Sequence, residues 1–261
     1  MTEIFDTNAE YHSSKAISAS GLKSIWQAKG SVQEYLSKTY KYNKAFEFGN
    51  AVHTLFLEGR KRYEAAYYEL PEIGNLTYKV NKELKAQLLE KAGDRVALDY
   101  KDVQVIREAE RQFYANPLAV ELCKGSIELS HYTEFEGVPV RVRPDCKNTE
   151  KQFISDIKTT KSVIDFDKDI YAYGYHIQAA FYCTILGFPI ENFRFVVIKN
   201  NIQYDNEYSP EPMVDVVKLS DYWIERGFND MRTAFDAWKH YIETGEAQGA
   251  GLRDEQGVRI V

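Results

Sequence analysis

The stretch Val138-Pro-Val-Arg141-Val-Arg143-Pro-Asp145 runs into a polar turn through Asn148 and then into Gln152-Phe-Ile-Ser-Asp156-Ile157-Lys158-Thr-Thr160. An alternating run, a turn and a second β-prone run predict a hairpin. Asp156 and Lys158 are two residues apart, so in a strand both point to one face. Once the turn brings Asp145 beside them, two carboxylates and an ammonium converge. That trio suits a divalent metal ion and the phosphate it activates. Any two of the three read equally well as a solvated hairpin edge. Against that, Phe153, Ile154 and Ile157 mark a core strand, where unpaired charge is costly unless it is paired or binds metal. Pro144 lacks an N–H and ends the ladder just where a strand end would present Asp145.

The rest of the chain sets the context. With 261 residues, 44% of them hydrophobic and 14% aromatic, there is enough apolar material for a core, and disorder is not the default. The 19 tyrosines suit interfaces and polymer grooves, having an apolar ring and a polar tip. A net charge of −6 argues against coating nucleic acid by bulk attraction. Between Gly137 and Lys161, however, six Lys/Arg face three Asp/Glu, a local excess of +3. The three cysteines, Cys123, Cys146 and Cys183, are scattered, which disfavours a disulfide framework or a zinc or iron–sulfur site. No secretory signal is visible in Met1 to Ser14, and the apolar run Ala179 to Phe188 is too short for a bilayer. The expectation is a soluble cytoplasmic protein with no membrane partner.

Along the chain, residues 1–16 read as a polar, irregular arm. Ser18 or Ser20 caps a helix carrying Leu22, Ile25 and Trp26. A second helix is predicted from Ala45 to Glu58, with Phe48, Val52, Leu55 and Phe56 as its apolar stripe. Residues 60–116 are charged and mostly helical in pattern, with Asp102 as a candidate cap, and read as an insertion on the core. A Glu136-Gly137 turn joins Ser126–Phe135 to the next strand. Tyr171 to Leu186 reads as one helix ended by Gly187 and Pro189. Phe193–Ile198 and Ile202–Tyr208 read as strands, Met213–Ile242 as one or two amphipathic helices, and 245–261 as a tail.

His53 sits one turn after Gly49 at the margin of its stripe. Such a histidine is more often a boundary residue than a ligand, yet its ring would lean over the bare glycine with room to reach across. Gln178 and Tyr182 share a helix face. Either Glu128 or Glu134 could face the cleft.

Taken in order, His53 on an early helix, Glu128, Arg-Pro-Asp145, Asp156-Ile-Lys158-Thr-Thr and Gln178-Ala-Ala-Phe-Tyr182 resemble the RecB-type nucleases of the PD-(D/E)xK superfamily. The nearer likeness is to the nuclease-domain family of exodeoxyribonuclease VIII (RecE) and its phage relatives. Ile17-Ser-Ala-Ser20-Gly-Leu22 and Phe48-Gly-Asn-Ala-Val-His53 add to it, and the similarity spans about residues 17 to 200. Asp156 stands where many relatives carry Glu.

The resemblance implies an α/β fold with a restriction-endonuclease-like core: a mixed central sheet flanked by helices, one nuclease domain over 17–244, and a helical insertion at 60–116. It implies one or two Mg2+ or Mn2+ ions held by His53, Asp145, Asp156 and the Ile157 carbonyl, with Glu128 completing the shell. Lys158 would orient or deprotonate the attacking water. Gln178 and Tyr182 would position the strand, Ser18 and Ser20 would take a terminal 5′ phosphate, and Arg141 and Arg143 would contact backbone phosphates. The implied activity is exonucleolytic degradation of one strand of linear duplex DNA, 5′ to 3′, leaving 3′ tails for phage-type recombination. Implied partners are DNA ends, a single-strand annealing (RecT-like) protein and further copies of the chain in a homo-oligomer. A restriction-like endonuclease and an inactive DNA-binding module are the alternatives.

Overall fold

The structure is a computed structural model that describes residues 1–39, 45–202, 212–247 and 249. The chain opens with β1 (Thr2–Ile4), α1 (Asn8–Ser13), α2 (Ala19–Gln27), α3 (Val32–Ser37) and α4 (Ala45–His53). The segment after Glu58 holds α5 (Arg60–Ala66), β2 (Tyr67–Glu69), α6 (Lys79–Ala92), β3 (Val96–Leu98) and α7 (Tyr100–Ala115). Next come α8 (Pro117–Leu122), β4 (Ser126–Ile127), β5 (Ser130–Phe135), β6 (Val138–Val142), β7 (Cys146–Asn148) and β8 (Phe153–Thr160). The chain continues through α9 (Phe166–Ala172), α10 (Tyr175–Leu186), β9 (Phe193–Lys199), β10 (Val214–Val217) and α11 (Asp221–Thr244).

The central sheet has the order β10-β9-β8-β7-β4. Only the β8–β9 pair in it is parallel. A parallel pair needs a crossover, which α9 and α10 supply. Alternation along β8 sends Ile154 into one apolar layer with Phe193, Phe195 and buried residues of α2, α10 and α11. Phe153 and Ile157 enter a second layer with residues of α4, α7 and α8. β8 is therefore a core strand covered on both faces, and it also carries Asp156 and Lys158.

The hairpin is real, but its partners differ from the expectation. β8 pairs with the short β7, with Cys146 opposite Ser155, whereas β6 joins β5 and β1 in a separate three-stranded sheet. The cause is Pro144, which cannot continue a ladder between β6 and β7. The Glu136-Gly137 turn forms as expected, both residues having positive φ (49° and 80°) as a tight hairpin demands.

Other boundaries moved. The arm is fastened, not irregular: β1 pairs with β5, and Thr7 and Glu10 form a reciprocal capping box on α1. The helix expected through Glu58 widens at Thr54, so that the Gly59 N–H bonds to the Thr54 carbonyl. Such widened turns are frequent at functional sites, and this one follows His53 directly. The insertion is mainly helical but also contains the parallel pair β2–β3. In it Asp99, not Asp102, occupies the cap position of α7.

The helix expected over Tyr171–Leu186 is two helices, because Gly174 adopts φ +65° between α9 and α10. Val214–Val217 pairs with β9 as a strand, so the last helix starts at Asp221. α11 crosses α10 so closely at Gly227 that a Cβ there would lie 2.6 Å from the His176 carbonyl oxygen. Most of Ile202–Tyr208 and of the 245–261 tail lies outside the described residues. Among the described residues no helix is long and apolar enough to cross a membrane.

Candidate metal and phosphate site

The site is built on an edge. Past Ser155, β7 has ended, so β8 loses its partner on that side while β9 continues on the other. The unpaired backbone groups of Ile157 need new partners, and two side chains supply them. The Ile157 N–H donates to Asp145 Oδ2 at 2.6 Å, and the Ile157 carbonyl meets His53 Nε2 at 3.1 Å. Local backbone need thus fixes one carboxylate and one imidazole beside the strand.

A carbonyl only accepts, so in the neutral ring Nε2 carries the proton and Nδ1 offers a lone pair. That lone pair lies 3.5 Å from Asp145 Oδ2. Glu128 completes the group: ligand atoms of His53, Glu128 and Asp145 all lie within 4.8 Å of one another. Glu128 reaches this place from a left-handed backbone (φ +45°), a conformation that disfavours side chains by about 1 kcal/mol. Its N–H donates to the Asp145 carbonyl at 3.1 Å, locking the two turns together. Glu134 is exposed on β5, away from this cluster.

Three acceptors facing one another are a poor arrangement for protein alone. Burial, and then the neighbouring Asp156 carboxylate, push the Asp145 carboxyl above its ordinary range. A hard divalent cation would relieve both, since nitrogen and carboxylate oxygens are its ordinary ligands. The residues present therefore fit the metal that the sequence implied.

Asp156, 1% exposed, takes a different part. Its carboxylate accepts from Lys158 Nζ and from the Gln178 amide. Burial works against the Lys158 charge, but Asp156 and Asp145 outweigh it and hold this ammonium above its ordinary value. Gln178 in turn accepts from Lys23 Nζ at 3.1 Å. An ammonium can only donate and a carboxylate only accept, which dictates how this amide is turned. Burial and the nearby Lys158 pull Lys23 down to about 7, against Asp156 and Asp145.

Several expected contacts face inward. Asp156 is not one of the three clustered ligands, and the Ile157 carbonyl is already engaged by His53. The buried Tyr182 hydroxyl donates to the Arg143 carbonyl at 3.0 Å, bracing the turn that carries Asp145. The Ser18 hydroxyl accepts from the Gly21 N–H as the cap of α2, while Ser20 is exposed. Arg141 is 6% exposed and donates to the carbonyls of Ser14 and Ala16. Arg143 meets Asn8 and Asp6. Both guanidinium groups also lie over the Tyr11 ring. Through these contacts both arginines hold the arm. Sequence reasoning missed Lys23, which lies in no local pattern that announces a site, and gave Tyr175, near Gln178 in sequence, no role.

The fold is thus a restriction-endonuclease-like core with a PD-(D/E)xK-type edge. The chain belongs to the family described as a PDDEXK-like domain of unknown function (DUF3799), whose match covers residues 18–250. Among the curated proteins none matches this sequence. In fold the chain is similar to a protein named "Putative exonuclease" from Eubacterium rectale. The TM-score is 0.57 at 14% identity, covering 99% of this chain and 95% of that one. A phage related exonuclease from Haemophilus somnus 129PT aligns at TM-score 0.36 and 12% identity, over 88% of this chain and 96% of the other.

Proposed function

We propose that the chain is a divalent-metal-dependent exodeoxyribonuclease that removes one strand of linear duplex DNA from 5′ to 3′. The observation that carries this reading is the convergence of His53, Glu128 and Asp145 on the unpaired edge of β8, with Lys158 on the same strand. Mg2+ or Mn2+ held there would lower the pKa of a bound water and neutralise charge on the scissile phosphate.

The chain's own groups do the rest. His53 and Asp145 are aimed by the Ile157 backbone, so they keep their geometry without substrate. Lys158 donates from one defined direction, because Asp156 fixes its ammonium; a point charge so placed orients water and stabilises charge developing on phosphate. Gln178 and Tyr182 act as positioning residues, one on Asp156 and the other on the Asp145 turn. Ser20 and the free N–H groups at the start of α2 suit a terminal 5′ phosphate. Resemblance to the RecE-type family supports two further parts of the reading: 3′ tails handed to a single-strand annealing protein, and a homo-oligomer encircling DNA to offset its net charge of −6.

The test is digestion of end-labelled linear duplex with Mg2+, comparing 5′-phosphate with 5′-hydroxyl ends and a closed circle. Label should leave 5′ ends first, faster with the phosphate, and the circle should stay intact. Release from 3′ ends overturns the polarity, and cutting of the circle overturns the exonuclease reading. An Asp156→Asn variant as fast as the parent overturns the site.

A further inference from the structure

Lys23 is an amine at the site that the mechanism above leaves without a task. It projects from α2, and its stem lies against Gly174, where a Cβ would come within 3.1 Å of the Lys23 Cγ. Its Nζ stands 5.4 Å from the centre of the Tyr175 ring, and Lys158 Nζ stands 4.9 Å from the same centre. Among the described residues its hydrogen-bond acceptor is the neutral Gln178 amide, and no carboxylate pairs with it directly. Lys158, by contrast, is paired with Asp156.

Among the described residues Asp156 pairs directly with Lys158 alone, and an ammonium offers three donors, so Lys23 has donors to spare for an anion beside the ring. A DNA strand carries phosphates at regular short spacing, so it can serve two such cations at once. We propose that Lys23 is a second phosphate-binding cation of this site, contacting the backbone phosphate next to the one that Lys158 serves. The assignment rests on the reading of the site as one for DNA. Gly174 and Tyr175 set its direction: the glycine admits the stem and the ring floors the ammonium. The hydrogen bond to Gln178 couples phosphate binding to the orientation of Asp156.

The test uses the full chain in Ca2+, to hold DNA uncut, and duplexes carrying one uncharged methylphosphonate at successive linkages. In the parent, neutralising the linkage next to the scissile one should weaken binding about tenfold. Lys23→Gln should weaken binding to ordinary DNA about tenfold and show no further loss at that linkage, whereas Lys23→Arg should keep the parent's pattern. Thermal midpoints of the variants check that they fold, and the arginine variant carries the test should the glutamine variant not fold. A methylphosphonate profile in Lys23→Gln identical to the parent's overturns the proposal, as does loss of the linkage effect in Lys23→Arg. If the parent shows the pattern yet cuts nothing with Mg2+, the nuclease reading falls and the Lys23 assignment stands. If the parent binds no DNA, both fall.

Discussion

Two clusters of charge flank Arg143-Pro144-Asp145, and they solve the problem of burial in opposite ways. On the arm side, Asp6 accepts from Ser130 and Tyr132 and lies 3.7 Å from Arg143. Burial pushes its carboxyl up, yet those donors and Arg143 outweigh it and hold it below the ordinary value. On the β8 side, burial and Asp156 push Asp145 up, and nothing present offsets them in full. A structural cluster is complete with protein alone. A binding cluster lacks a charge, and the missing sign says what it takes.

Three experiments test that contrast. The largest effect is expected from Asp145→Asn. It should lower DNA hydrolysis by about a thousandfold, because a ligand is lost. The metal-free protein should melt no lower than the parent, since one carboxylate of a crowded set is removed while the acceptor for the Ile157 N–H remains. Mg2+ or Mn2+ should raise the melting temperature of the parent and raise the variant's much less. A large fall in metal-free stability would show that the β8 cluster is as complete as the arm's.

Asp6→Ala comes next. It removes the acceptor of two hydroxyl groups and the partner of a half-buried guanidinium, so it should cost about 2 kcal/mol in urea unfolding. Hydrolysis per folded molecule should stay within about threefold. A large loss of rate without loss of stability would make the arm part of the site.

The smallest effect concerns His131, fully buried on β5 and 3.2 Å from Glu3 on β1. Burial, and then Lys147, lower its pKa to about 4. The neutral ring is therefore favoured in the fold, and the unfolded chain takes up a proton first. Stability from this group is full above about pH 6.5 and is lost as pH falls from there toward 4, by on the order of 2 kcal/mol. His131→Phe should flatten the fall in melting temperature over that window. An equal fall in parent and variant would remove His131 as its cause.

Some of this was legible in the sequence. The β8 strand, the Glu136-Gly137 turn, the α2 cap and the apolar face of α4 all follow from local pattern, because alternation and capping act within a few residues. Asp156 and Lys158 were legible as charges out of place in an apolar run, and Asp145 as the carboxylate that Pro144 leaves at a strand end. The β7 pairing, the split at Gly174 and the strand at Val214 were not, since local pattern shows which residues can pair or bend but not which ones packing selects. For the same reason Arg141 and Arg143 looked like phosphate contacts: parity gives the face of a strand, but not what covers it.

The sequence by itself determined which groups were available and which strand would carry them, for a proline stops a ladder and a core strand tolerates charge only with a partner. Tertiary structure alone decided who the partners are. It ended β7 one residue short of Asp156, so that the backbone of Ile157 had to recruit Asp145 and His53, and it set Lys23 and Lys158 beside one ring. Hydrogen-bond need is local, but the groups that meet it come from wherever packing delivers them.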